Sequence, residues 1–158
     1  MLTHLDKNGN ATMVDISDKK TTTRTALASG VIHITPEILE AIKKDSIKKG
    51  DVFTVAKIAG INSAKMTEAI IPLCHQIPLD YIDINFDLQE ENLIIEAFAS
   101  VKTSHKTGVE MEALVAVNSF LLTIYDMCKG ISKDMRITDI KLLKKTGGKS
   151  GDWETSSK

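Results

Sequence analysis

The sequence predicts an α+β fold, an antiparallel sheet with helices on one face. Three observations carry this. Ile82, Ile84, Phe86 and Leu88 alternate with polar residues, the period of a half-buried strand. Val109, Ala113, Ala116, Val117, Phe120, Leu121, Ile124, Tyr125 and Cys128 recur at three- and four-residue steps, the stripe of one long helix. The elements around these two follow the order strand, helices, strand, strand, helix, strand, with short connections.

Each element has a local cause. Residues 17–25 are polar, and the first strand is expected around Val31, Ile32 and Ile34. Thr35-Pro36-Glu37 gives an N-cap, a proline at the first helical position and an acid in the first turn, so a helix runs from there to about Lys44. Residues 48–50 form a loop, and Asp51 can cap a second helix that carries Val52, Val55, Ile58 and Ala59. Gly60 weakens that helix, which resumes toward Ile70. Pro72-Leu73-Cys74-His75-Gln76-Ile77-Pro78 has a proline at each end and is not regular helix. After the alternating strand, residues 89–92 turn the chain into a second one from Leu93 to about Lys102, completing a hairpin. The long helix spans Gly108 to Lys129 and stops at Gly130. A last strand covers Met135 to Leu143. This order is the split β-α-β arrangement of ferredoxin-like folds.

The 158 residues suit one domain, 1–158, with residues 1–12 and 147–158 expected to be flexible. Twenty basic against 21 acidic residues leave a net charge of −1, which argues against a general nucleic-acid or membrane-surface binder. No uninterrupted apolar run reaches the roughly 18 residues of a spanning helix, and the N-terminus lacks a signal-peptide pattern. Cys74 and Cys128 sit beside apolar residues and read as reduced thiols rather than a disulfide. A cytoplasmic location is expected.

Few residues could carry chemistry on their own pattern. Lys49 precedes a helix start, Lys145 follows the last strand and Lys149 lies in the Gly-rich tail; each is a surface lysine by default. Asp126 and Lys129 stand at i and i+3, which by itself is an ordinary helix-surface ion pair. His75, between two prolines, is either a capped loop histidine or a rigidly presented donor. Gly147-Gly148-Lys149-Ser150 resembles the end of a P-loop but has Leu143 where the first glycine is needed, and the helix that the motif requires next is not expected in the eight residues after Ser150. No second ligand cluster accompanies Cys74-His75, so no metal site and no cofactor are expected. On the long helix, Met111, Glu112, Asp126 and Lys129 all avoid the apolar stripe. The acids at its start and the Asp126–Lys129 pair at its end are about fifteen to eighteen residues apart, roughly 20–27 Å along the axis. They cannot share one small-molecule pocket within a chain, whereas two chains packed antiparallel would bring them together.

Several segments are similar to those of the molybdenum cofactor biosynthesis protein C family. They are Met13-Val14-Asp15-Ile16-Ser17, Lys49-Gly50-Asp51-Val52-Phe53, Ala56-Lys57-Ile58-Ala59-Gly60-Ile61, Ile71-Pro72-Leu73-Cys74-His75, Lys106-Thr107-Gly108-Val109-Glu110-Met111-Glu112-Ala113-Leu114, Thr123-Ile124-Tyr125-Asp126-Met127-Cys128-Lys129 and Gly147-Gly148-Lys149-Ser150-Gly151. The resemblance runs in order from about residue 3 to 152. It implies a ferredoxin-like fold, a homohexamer built as a trimer of dimers with sites at subunit interfaces, and a lyase. The implied substrate is the small molecule 3′,8-cyclo-7,8-dihydro-GTP, converted to cyclic pyranopterin monophosphate with release of pyrophosphate. By matching motif, Asp126, Lys49 and Lys129 are the implied catalytic groups. Leu73, Cys74, His75, Met111 and Glu112 are implied to bind substrate, with Lys145, Asp15, Arg24, Glu110 and Lys65 as further pocket residues. Lysines crowded by other cations would have lowered pKa values suited to proton transfer. Gln76 and Ser104-His105 depart from the family pattern. Two other classes compete. A non-catalytic, oligomeric nucleotide-binding regulatory domain does not need Lys49, Lys129 and Asp126 together, and an RNA-binding sheet requires exposed aromatics, scarce in a chain with 4% aromatic residues.

Overall fold

The computed structural model describes residues 5–156, so part of each end expected to be flexible lies outside the described residues. The chain runs β1 (Thr22–His33), α1 (Pro36–Lys43), α2 (Val52–Lys65), α3 (Thr67–Ile70), β2 (Tyr81–Gln89), β3 (Ile94–His105), α4 (Glu110–Cys128), β4 (Arg136–Thr146) and β5 (Trp153–Glu154). The strands form one antiparallel sheet in the order β2-β3-β1-β4-β5. Its first four strands have the ferredoxin-like order, with both crossover segments carrying the helices.

The helices start where their caps dictate. Thr35 accepts from the Ile38 N–H at the start of α1, and Asp51 accepts from the Phe53 and Thr54 N–H groups at the start of α2. β1 is longer than the apolar residues alone predict. Its polar first half, from Thr22, pairs residue by residue with the end of β3, from Thr22↔His105 onward. Ladder hydrogen bonds, to β3 throughout and to β4 from Thr25 onward, hold that half in the sheet rather than apolar alternation. The Gly-, Ser- and Lys-rich tail also contains an element that the sequence did not announce, β5, paired to β4 through Lys144↔Glu154 and Lys145↔Trp153.

The helix-facing side of the central strands is lined by small residues. Ala26, Ala28, Ala97 and Ala99 are buried, letting α4 lie close to the sheet. Onto this floor α4 sets Val117, Phe120, Leu121 and Ile124. A ladder of rings then ties the layers: Phe53 of α2 stacks on Phe86 of β2 at 4.0 Å between centroids, and Phe86 meets Phe120 of α4 at 5.9 Å.

α2 continues unbroken through Gly60, contrary to the weakening expected there. A Cβ at that position would lie 2.9 Å from the Ala116 carbonyl oxygen and 2.3 Å from Ile84. Glycine is thus what lets α2 and α4 touch, and packing outweighs its poor helix propensity. The break falls later, at Met66, whose N–H bonds to the Ser63 carbonyl before α3 begins. α4 is long and apolar enough, by length and composition, to cross a membrane; here just over half of it is buried, mostly against the sheet and α2, while Leu122 stays exposed.

Candidate active site at the two ends of one helix

Lys49, Asp126 and Lys129 meet at the C-terminal end of α4. The Asp126 carboxylate accepts from Lys49 Nζ through Oδ2 at 2.7 Å and from Lys129 Nζ through Oδ1 at 2.7 Å. Lys49 Nζ also donates to the Asp126 carbonyl oxygen at 2.8 Å. The local cause is plain. Lys49 sits in the loop that Asp51 terminates by capping α2, and α2 runs antiparallel to α4, so its start lies beside the end of α4. The i,i+3 spacing brings Lys129 over the same carboxylate. All three side chains are about half exposed.

Electrostatics then divide the roles. Hydrogen bonds from Lys129 and then Lys49 lower the Asp126 pKa to about 2. Asp126 is therefore a fixed carboxylate at neutral pH, able to orient two ammonium groups. Its own hydrogen bond and charge raise the Lys129 pKa. For Lys129 this corrects the expectation of a lowered pKa: its cation is held by an anion, not crowded by other cations.

The N-terminal end of α4 opens onto a cavity of about 290 Å³. Leu73, Cys74 and His75 line it from one side, Glu110, Met111 and Glu112 from the other, with Val14 and Lys19 at its edge. The proline-flanked segment is held by His75, whose Nε2 lies 2.7 Å from the Val14 carbonyl oxygen. Asp15, next to Val14, accepts from the Ser17 N–H and hydroxyl, which lower its pKa. Both cysteines are free; Cys128 is buried, and Cys74 is partly exposed on the cavity wall.

Glu112 does not avoid the core as its position on the helical wheel suggested. It is 4% exposed. α4 is covered by the sheet, by α2 and by the 73–77 segment together, so more of its circumference is closed than one stripe implies. Burial pushes the Glu112 carboxyl up to about 7, with the charges of Glu110 and Glu68 adding to the rise. Among the described residues no salt bridge neutralises it.

The remaining predicted residues gather near this end. Lys145 of β4 pairs with Glu110 at 3.1 Å and donates to the Ser150 hydroxyl at 2.9 Å. Arg24 of β1 donates through Nε to the His105 carbonyl at 2.9 Å and through Nη2 to the Lys106 carbonyl at 3.2 Å. Lys65 closes α2 toward the α4 start but is exposed and does not line the cavity. Residue patterns singled out neither Lys19, which lines the cavity, nor Lys106, whose Nζ donates to the Ser17 carbonyl at 2.7 Å. Lys106 opens the segment leading into α4, and that position was its available signal.

Within one chain the two groups stay apart. From Glu112 to Asp126 is about 21 Å along α4 at 1.5 Å per residue. Fold and site together define a ferredoxin-like α+β protein with a cation–carboxylate cluster and an acidic cavity at opposite ends of its central helix. A family model described as the MoaC family matches residues 13–148, and the chain belongs to that family. It is 53% identical over 154 residues to the cyclic pyranopterin monophosphate synthase of Clostridium acetobutylicum, covering 98% of this chain and 96% of that protein. It is 54% identical over 153 residues to the protein of that name from Thermoanaerobacter sp. (strain X514), covering 97% of each. The molybdenum cofactor biosynthesis protein moc-5 of Caenorhabditis elegans is 53% identical over 150 residues, 95% of this chain and 25% of that longer protein.

Proposed function

We propose that the chain is a cyclic pyranopterin monophosphate synthase, a lyase of molybdenum cofactor biosynthesis. It would convert 3′,8-cyclo-7,8-dihydro-GTP to cyclic pyranopterin monophosphate and release pyrophosphate. The observation that carries this is the Lys49–Asp126–Lys129 cluster in a chain about half identical, end to end, to proteins bearing that name. In this reading Asp126 orients the two lysines. Their ammonium groups give and take protons at the rearranging ring and balance developing negative charge. Leu73, Cys74, His75, Met111 and Glu112 bind the substrate, and Arg24 and Lys145 face its phosphates, with Asp15, Glu110 and Lys65 at the periphery.

Each site is then shared between two chains of a cytoplasmic homo-oligomer, a trimer of dimers. Two α4 helices packed antiparallel set the cationic end of one against the acidic cavity of the other, twice per dimer. Charge supports this arrangement: among the described residues the buried Glu112 carboxyl has no ion-pair partner, and Lys49 and Lys129 share a single acid. The test is to incubate the purified protein with the cyclised GTP and, separately, with GTP. Pyrophosphate and a pterin product from the first and neither from the second are expected. Binding without turnover would favour a regulatory nucleotide-binding domain instead.

A further inference from the structure

The glycine pair after β4 lies directly on the Arg24 side chain. Gly147 and Gly148 have φ of 84° and 83°, left-handed values that side chains other than glycine seldom adopt. A Cβ on Gly147 would stand 2.3 Å from the Thr23 carbonyl oxygen, a backbone atom that cannot yield. A Cβ on Gly148 would stand 2.2 Å from Arg24 Nη1 and 3.0 Å from its Cζ. The guanidinium thus occupies the space that a side chain at 148 would fill. On its opposite edge it is tied to the His105 and Lys106 carbonyls, which fix two of its nitrogens. Arg24 makes no ion pair among the described residues, so its charge and its remaining N–H donors are available to an anion. A planar fork held on two edges is pre-organised for a phosphate, whereas the same side chain swinging freely is not.

We infer that Gly148 is a positioning residue, clamping the Arg24 guanidinium against the end of β3 so that it meets the phosphate chain of the substrate in one fixed orientation. This rests on the synthase reading for the identity of the anion. The contact is also separable from folding, because the atom displaced by a new Cβ is the mobile end of a side chain. Gly151 supplies the control. Its φ is 70°, so alanine there carries the same backbone penalty, but nothing lies within 4 Å of the added Cβ.

The experiment compares Gly148→Ala, Gly151→Ala, Arg24→Ala and the double variant Gly148→Ala/Arg24→Ala. Read-outs are KM and kcat for the cyclised GTP, and the Kd of inorganic pyrophosphate. In Gly148→Ala, KM and the pyrophosphate Kd rise about tenfold, the scale of a misplaced hydrogen bond to a charged group, while kcat changes little. Gly151→Ala binds as wild type, and Gly148→Ala adds nothing in the Arg24→Ala background. The clamp is overturned if Gly148→Ala binds as wild type, if Gly151→Ala weakens binding equally, or if the loss persists without Arg24. A wild-type protein inert toward the cyclised GTP overturns the synthase reading and not the clamp. Exchange of the Arg24 Nε–H, followed by NMR, then decides: faster in Gly148→Ala alone supports it, and equal rates in both glycine variants refute it.

Discussion

At the residue scale, Asp126 illustrates how little a spacing says and how much a third partner adds. At i,i+3 with Lys129 it forms the commonest kind of surface pair, which contributes little to stability. Lys49, distant in sequence, reaches the same carboxylate and turns the pair into a two-cation cluster. Because its pKa lies below the ordinary 3.8, the cluster's contribution is present above pH 3.8 and is lost only as pH falls toward about 2. Asp126 therefore contributes no titration step across neutral pH. Asp126→Ala and Lys129→Ala should each abolish turnover while leaving far-ultraviolet circular dichroism and assembly size as in wild type, since both side chains are exposed and outside the core. Wild-type turnover in either would remove that residue from the catalytic group; loss of folded signal would make the pair structural.

At the element scale, the contact between α2 and α4 decides where the site's parts stand. α2 carries Lys49 at its approach and Lys65 at its end, so its fit against α4 sets the position of the whole cluster. Gly60 is a point of close approach between them. By helix propensity alone, Gly60→Ala would stabilise by about 1 kcal/mol. The added Cβ meets the Ala116 carbonyl, a backbone atom, and overpacking of this kind costs about 1–3 kcal/mol. The net effect should be destabilising, seen as a lower midpoint in urea unfolding with an unchanged slope. A higher midpoint would mean that the two helices have room to separate. The Phe53–Phe86–Phe120 ladder beside this contact makes such separation costly, since all three rings would lose their stacking.

At the scale of the whole molecule, Glu112, without an ion-pair partner among the described residues, would link pH to assembly if the proposed shared site forms. Its carboxyl sits near 7 in the single chain because burial and the neighbouring acids Glu110 and Glu68 disfavour its charge; the Cys74 thiol is likewise pushed up, first by burial and then by the Glu112 charge. His75 and Lys19 line the same cavity, and the pair Glu110–Lys145 is already closed on itself. A folded pKa raised from 4.5 favours the lone chain below about pH 4.5, and that advantage is lost as pH rises through about 7. If a second chain brings cations to this cavity, pairing lowers the pKa and releases a proton. Association should then tighten as pH rises from about 5 to 7, and Glu112→Gln should remove that dependence. Sedimentation of dilute protein across this range is the check. Association that is flat or weakens with pH in the wild type would contradict cations facing Glu112.

The sequence by itself determined the element order, the caps at Thr35 and Asp51, the hairpin and the family. These follow from local chemistry and periodicity, which need no knowledge of what lies opposite. The motif match also named the residues that the fold gathers at each end of α4. Tertiary structure decided the rest. Only the fold shows Glu112 closed off by three neighbours, since burial depends on what covers a helix and not on one helix's own pattern. Likewise β5 and the polar half of β1 exist through pairing with distant strands, and ladder hydrogen bonds leave no periodic mark in either sequence. Gly60 reads as a helix breaker and Gly148 as a loose tail residue. Each is in fact defined by an atom of a remote residue, the Ala116 carbonyl or the Arg24 guanidinium, because close approach is a property of two surfaces and a sequence displays them one at a time.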